Sequence, residues 1–281
     1  MCLLNGVQIR GTDHQEPEFR YMQPPHTIHL WFKELIKGFE KDLPKVWPES
    51  FFWQFVYDVS MMPANQKRPN RNTNPQIYLE MLIQSFVNIK GHNSDLFVKL
   101  FRKLLEANNP TQLYSYGSEV FVADQFISSD GKLSCVMESE SKRTVAGEFI
   151  LTVNSREVLV EVKARIPDKY KNDVSIVQYI CGMLKTVLKQ IKSEDNKMVL
   201  PVFDVTLAGA KAVYGEALEK EFVAMYETLS KDADIKLSRI FSIKVIAMVE
   251  SNQGVGFINA TTFPYDKASK NNCFSVDPVW L

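Results

Sequence analysis

Apolar residues recur with a helical period in the first part of the chain and with a strand period in the second. In residues 27–46, Leu30, Phe32, Leu35, Ile36 and Phe39 fall near helical spacing, which predicts a helix. Residues 51–59 (FFWQFVYDV) are largely aromatic and fit helix or strand equally well. Residues 76–88 predict an amphipathic helix with Ile77, Leu79, Leu82, Ile83 and Phe86 apolar and Glu80 within it. Residues 95–107 (DLFVKLFRKLLEA) predict a further helix, capped by Ser94 or by Asn93. Residues 1–25 are polar and turn-rich and read as a loosely held arm. Residues 62–75, rich in Pro, Asn and basic side chains, read as a loop.

The period then shortens. Residues 119–126, 132–137, 145–153 and 157–166 read as consecutive strands, separated by Asp130-Gly131, a Ser/Lys-rich stretch and Asn154-Ser155. Residues 172–191 predict a helix, and 198–205 and 210–214 further strands. Residues 219–228 fit either state. Residues 240–249 are apolar enough for a buried strand or helix, and the Asn-, Gly- and Pro-rich chain after Glu250 reads as an irregular tail. Helices, a strand set, a helix and more strands predict an α/β fold with a mixed sheet rather than a doubly wound parallel one. The organisation expected from this order is an N-terminal arm and helical extension over 1–75, a main domain over 76–250 and a tail over 251–281.

Composition narrows the function classes. Lys plus Arg number 33 and Asp plus Glu 33, so no global field draws the chain to nucleic acid, and any such binding must come from a local patch. The four cysteines (Cys2, Cys135, Cys181, Cys273) have no close pairs, which argues against a CxxC zinc site or disulfide framework and for a reducing compartment. The first residues lack the apolar run of a signal peptide, and no run approaches the ~20 apolar residues of a membrane span. An intracellular protein of cytoplasm or nucleus, neither secreted nor in the membrane, is therefore expected. The four histidines have no metal-ligand spacing, and no GxSxG, GxGxxG or P-loop pattern occurs.

The chemistry concentrates in residues 145–165, VAGEFILTVNSREVLVEVKAR. Alternation along the second strand sets Val158, Val160, Val162 and Ala164 on one face and Leu159, Glu161 and Lys163 on the other. A carboxylate and an ammonium in the middle of a buried sheet are costly unless paired or bound to a cation. Acid-x-Lys triplets also occur at Asp130, Glu140, Asp195 and Asp234, so the triplet alone says little. Only Glu161-Val162-Lys163 lies in a strongly apolar run, and only it follows a strand carrying a lone acid, Glu148.

That combination resembles the PD-(D/E)XK nuclease superfamily, whose core carries an acid on one strand and acid-x-Lys on the next, after one helix and before another. The resemblance covers roughly residues 76–205. It implies a restriction-endonuclease-like core with a mixed central sheet flanked by helices, and a nuclease that hydrolyses phosphodiester bonds of DNA or RNA with Mg²⁺ or Mn²⁺. Glu148, Glu161 and Lys163 would be catalytic. Glu148 and Glu161 would hold the ion, with the Val162 carbonyl and Glu80 as further ligands, because hard cations take oxygen donors and keep several waters. Lys163 would orient the attacking water and neutralise developing charge. Gln178 matches a Gln that some members carry on the following helix. Lys185, Lys189 and Lys192 share one face of that helix and are candidates for phosphate contact, as are Lys67, Arg68, Arg71, Lys169 and Lys171. No Pro-Asp precedes the first acid, Glu stands where Asp is commoner, and Tyr179 directly follows Gln178 where a Gln-x-x-x-Tyr signature would space them. A nuclease-fold binding module without catalysis is the alternative. A solvent-facing Glu-Lys pair on an edge strand is the purely structural one.

Overall fold

The computed structural model describes residues 3–4, 7–9, 27–44, 47–61, 75–127, 132–135, 148–153, 156–164, 176–190, 198–204, 231, 239–251, 254–262 and 274–280. They form two compact units, a helical one within Thr12–Gly131 and a sheet-bearing one from Met1–Gly11 and Lys132–Leu281. The division falls at Gly131 and Lys132, so the helix around Glu80 belongs with the helices before it, whereas the sequence pattern grouped it with the strands.

The helical unit contains α1 (Ile28–Ile36), α2 (Phe51–Ser60), α3 (Pro75–His92), α4 (Ser94–Leu105) and α5 (Pro110–Ile127). On α4 the buried positions Leu96, Phe97, Leu100, Phe101, Leu104 and Leu105 make one apolar stripe. Asn93, rather than Ser94, caps it by accepting a 3.0 Å bond from the Leu96 N–H. Ser50 does the same for α2, accepting from Trp53 N–H at 3.2 Å. The stripes meet in an aromatic core in which Phe32 packs edge-on against Phe52 at 5.3 Å, Phe52 against Phe101 at 5.9 Å, and Phe86 against Phe97 at 5.5 Å. Lys90 closes the exit of α1, donating to the Leu35 carbonyl at 2.6 Å with its ammonium 4.8 Å from the Phe39 ring centre.

Helix α5 corrects the expectation of a strand over 119–126. Every residue from 117 to 127 is buried, so neither an amphipathic stripe nor a clean alternation marks the state, and Val120 and Val122 imitate a strand. The start was legible nonetheless. Asn109 accepts from the Gln112 N–H at 3.0 Å, and Pro110 sits at the first helical position, where its missing N–H costs nothing. Complete burial obliges the polar side chains of α5 to be paired. Asp124, 1% exposed, accepts from Ser85 Oγ at 3.0 Å and Asn88 Nδ2 at 3.1 Å. Glu119 accepts from Lys103 Nζ with both oxygens at 2.7 Å. At Gly117 the helices come so close that a Cβ would lie 1.8 Å from Tyr78 Oη.

The sheet-bearing unit is one mixed sheet. Its strands are β1 (Leu3–Leu4), β2 (Val7–Ile9), β3 (Lys132–Cys135), β4 (Phe149–Val153), β5 (Arg156–Ala164), β6 (Met198–Asp204), β7 (Ile243–Ser251), β8 (Gly254–Thr262) and β9 (Phe274–Trp280), in the order β1-β2-β9-β8-β7-β6-β5-β4-β3. The run β3-β4-β5 is antiparallel, β5-β6-β7 parallel and β7-β8-β9 antiparallel. Helix α6 (Ile176–Gln190) makes the crossover between the parallel strands β5 and β6. The coarse expectation of an α/β fold with a mixed sheet holds. The irregular tail does not, because β8 and β9 fall within it, and residues 3–4 and 7–9 of the supposed arm are strands. Gly, Asn and Thr interrupt β8, so its place comes from the nine-residue register with β7 rather than from its own propensity. Residues 210–214 and 219–228 lie outside the described residues. Among the described residues no helix is long and apolar enough to cross a membrane.

Two measurements check the packing of α5. Asp124→Ala leaves Ser85 and Asn88 without their acceptor and should lower the unfolding free energy by about 3 kcal/mol in urea titration. Gly117→Ala should also destabilise the chain, against the ~1 kcal/mol that Ala gains over Gly in a helix, because the buried Tyr78 ring must move. A raised urea midpoint would contradict the close approach.

Candidate active site

The candidate site is built on β5, an interior strand with a neighbour on each side. Phe149 opposes Val160 across the β4 ladder, and Glu161, Lys163 and Ala164 stand beside Pro201, Phe203 and Asp204 of β6. Val158, Val160 and Val162 are buried on one face, and Leu159 and Glu161 on the other. The solvent-facing edge-strand reading is thereby overturned: Glu161 is 4% exposed in a strand without a free edge.

Lys163 Nζ donates to Glu161 Oε1, closing an ion pair between side chains two residues apart on one strand face. The Lys163 side chain keeps 22% exposure against 5% for that of Glu161, so the ammonium stands at the mouth and the carboxylate behind it. A lysine stem can lie along apolar surface while its head reaches water, which lets the pair bridge the interior and the solvent.

Glu148 lies immediately before β4, and its N–H donates to the Val160 carbonyl at 2.8 Å. Its backbone is thus bound to the residue next to Glu161, and the two acids of the motif occupy adjoining positions of neighbouring strands. Successive carbonyls along a strand point to opposite sides. The Val160 carbonyl points to the β4 side, so the Val162 carbonyl does too, beyond the first paired residue of β4.

Helix α6 covers the face that carries the pair. The Tyr179 ring packs edge-on against Phe203 at 6.2 Å, and Val187 packs on Val199. Phe203 is level with Lys163 and Val199 with Leu159, so α6 runs antiparallel to the strands and its first turns lie over the Lys163 end. Gln178, whose side chain lies outside the described residues, belongs to those first turns. Lys189 is ten residues beyond Tyr179, about 15 Å along the axis at 1.5 Å per residue, and Lys185 is partway there. Lys67, Arg68, Arg71, Lys169, Lys171 and Lys192 lie outside the described residues.

Glu80 belongs to α3 in the helical unit, where Gln76 Nε2 donates to its Oε1 at 3.0 Å. Burial raises its pKa above the ordinary carboxylate value, and the Gln76 bond offsets part of that. Asp204, buried at the end of β6, was not singled out from sequence. Its pairing with Ala164 sets it on the opposite face from Glu161. Among the described residues no group of three or more His, Cys, Asp or Glu side chains is arranged to hold a metal ion.

Two outcomes follow from these environments. Lys163→Met leaves the Glu161 carboxylate buried without its partner and should cost about 2 kcal/mol, whereas the double variant Glu161→Leu/Lys163→Met should recover most of that loss. A non-additive cycle in urea denaturation checks it. For Glu80 the native carboxyl prefers its proton, so its contribution to stability is full below the unfolded-state pKa and is lost as pH rises through the folded-state value. Glu80→Gln should therefore raise the urea midpoint at pH 7 and give no gain near pH 3.5. A gain of equal size at both pH values would contradict the assignment. No protein-family model matches this chain and no curated protein is similar to it in sequence, so the site stands on its own geometry.

Proposed function

We propose that this chain is a metal-dependent nuclease of the restriction-endonuclease-like kind, hydrolysing phosphodiester bonds of DNA or RNA at Glu148, Glu161 and Lys163. The observation that carries the proposal is the buried Glu161 paired with Lys163 beside a second acid, Glu148, bound to the adjoining residue. The order of elements agrees with it: a helix, a strand entered through an acid, a strand with acid-x-Lys, a helix and a parallel strand.

The donor chemistry fits Mg²⁺ or Mn²⁺. Glu148 and Glu161 offer hard oxygen donors, one or two carboxylates suffice for an ion that keeps several waters, and the Val162 carbonyl would be a further oxygen donor. Such an ion, when bound, polarises the phosphate and acidifies a water. The protein's own part is done by three groups. Glu161 fixes the position of the Lys163 ammonium, Glu148 adds charge at the entry of β4, and Lys163 presents a cation to the negative charge that develops on phosphate oxygens. The substrate approaches from the Lys163 side, because Glu161 is closed off behind it.

Cleavage of single- and double-stranded DNA and RNA with Mg²⁺ or Mn²⁺ tests the proposal, with Lys163→Ala and Glu161→Ala compared at equal folded fraction. Each substitution should lower turnover at least about 100-fold, as loss of a group aimed at transition-state charge does. Equal activity in all three proteins would refute the assignment. Nucleic-acid binding without turnover in the native protein would identify a binding module that keeps the fold and lacks catalysis.

A further inference from the structure

Beside the acid-lysine pair stands a second pair, of aromatic rings. Phe203 is the register partner of Lys163 on the parallel strand, so its side chain lies on the face that carries Lys163 and Glu161. Tyr179 meets it from above with ring centres 6.2 Å apart and planes at 79°. Tyr179 is 4% exposed and Phe203 0%. At the other end of α6 the contact is Val187 on Val199, level with the aliphatic Leu159. The two ends of one helix therefore rest on different chemistry: aromatic wall beside the ion pair, plain aliphatic packing away from it.

We propose that Tyr179 is a positioning residue whose ring, together with Phe203, walls the Lys163 ammonium onto the Glu161 carboxylate and shields the buried side of the pair from water. A lysine head on its four-carbon stem has many conformations, and a fixed wall removes those that swing away from the acid. Excluding water also lowers the local dielectric, which strengthens the attraction between the charges and leaves less solvent to reorganise when charge develops nearby. The ring is what acts, so Tyr179→Phe retains the effect. Only the catalytic consequence rests on the nuclease reading; the wall itself does not.

The experiment reads two quantities on the full chain and on Tyr179→Phe, Tyr179→Leu and Val187→Ala. The first is the rate at which a water-soluble acylating reagent modifies Lys163, followed by peptide mass spectrometry. Tyr179→Leu should raise that rate about fivefold, as for an ammonium released from a buried pair, while the other two stay within about twofold of the native chain. Val187→Ala loosens the same helix at its far end and so separates a general weakening from loss of the wall. If Tyr179→Leu does not fold, Phe203→Leu removes the other ring and is read in the same way. The second quantity is nucleic-acid cleavage, where Tyr179→Leu should lower kcat about tenfold with KM unchanged, and Val187→Ala should leave both unchanged per folded molecule. Equal labelling of Lys163 in the native and Tyr179→Leu chains, or an equal rise in Val187→Ala, overturns the wall. Faster labelling in Tyr179→Leu with a native chain that cleaves nothing upholds the wall and overturns the nuclease reading instead.

Discussion

Between Val158 and Val162, β5 is buried on both faces and paired on both edges, and it leaves the side chains there little water. Its aliphatic positions need none. Glu161 does, and in the absence of water its charge must be met by another charge within reach. Lys163, two residues along on the same face, is the nearest group that the pleat can supply, and its position toward the strand end lets the ammonium keep partial contact with solvent. Moving either residue by one position would send it to the opposite face, among Val158, Val160 and Val162, where the pair could not form.

The crossover by α6 follows from the same strand. Parallel neighbours β5 and β6 cannot be joined by a tight turn, and the helix that joins them must cover a sheet face. It covers the one with Glu161 and Lys163, which is why the pair is buried and why aromatic side chains border it. The helical unit solves a comparable problem differently. In α5 the burial of Glu119 and Asp124 is met by partners from α4 and α3, Lys103 and the Ser85–Asn88 pair, so its charges tie helices to each other. Both units thus contain a buried carboxylate paired with an ammonium that keeps contact with solvent, but only that on β5 draws its partner from its own strand.

The contrast shows which parts of the molecule could be read from sequence. Elements whose period survives burial on one side were plain: α3 and α4 from their stripes, β4 and β5 from alternation and Asn154-Ser155. Those buried on all sides or placed by their neighbours were not. Helix α5 lost its stripe because every face of residues 117–127 is buried, and only Asn109-Pro110 announced it. Strand β8 is set by its register with β7, a long-range property that composition hides. In the site, Glu161 and Lys163 were legible because a charge inside an apolar run is conspicuous. Tyr179 and Phe203 were not, since an aromatic residue in an apolar helix or strand reads as core, and only the register of β5 with β6 brings them beside Lys163.

Glu80 shows why a motif carboxylate must be judged by its surroundings as well as its place in the order of elements. It sits on a helix ahead of the strand set, where the resemblance puts a site acid, yet burial on α3 already favours its protonated form, and its described partner is a neutral amide. A group held that way is a poor cation ligand until a positive charge comes close enough to offset desolvation. Glu161 is the opposite case: it is more deeply buried, and its partner is an ammonium rather than a neutral amide. Of the two, the acid on β5 is the one that already faces a positive charge, supplied by its own strand.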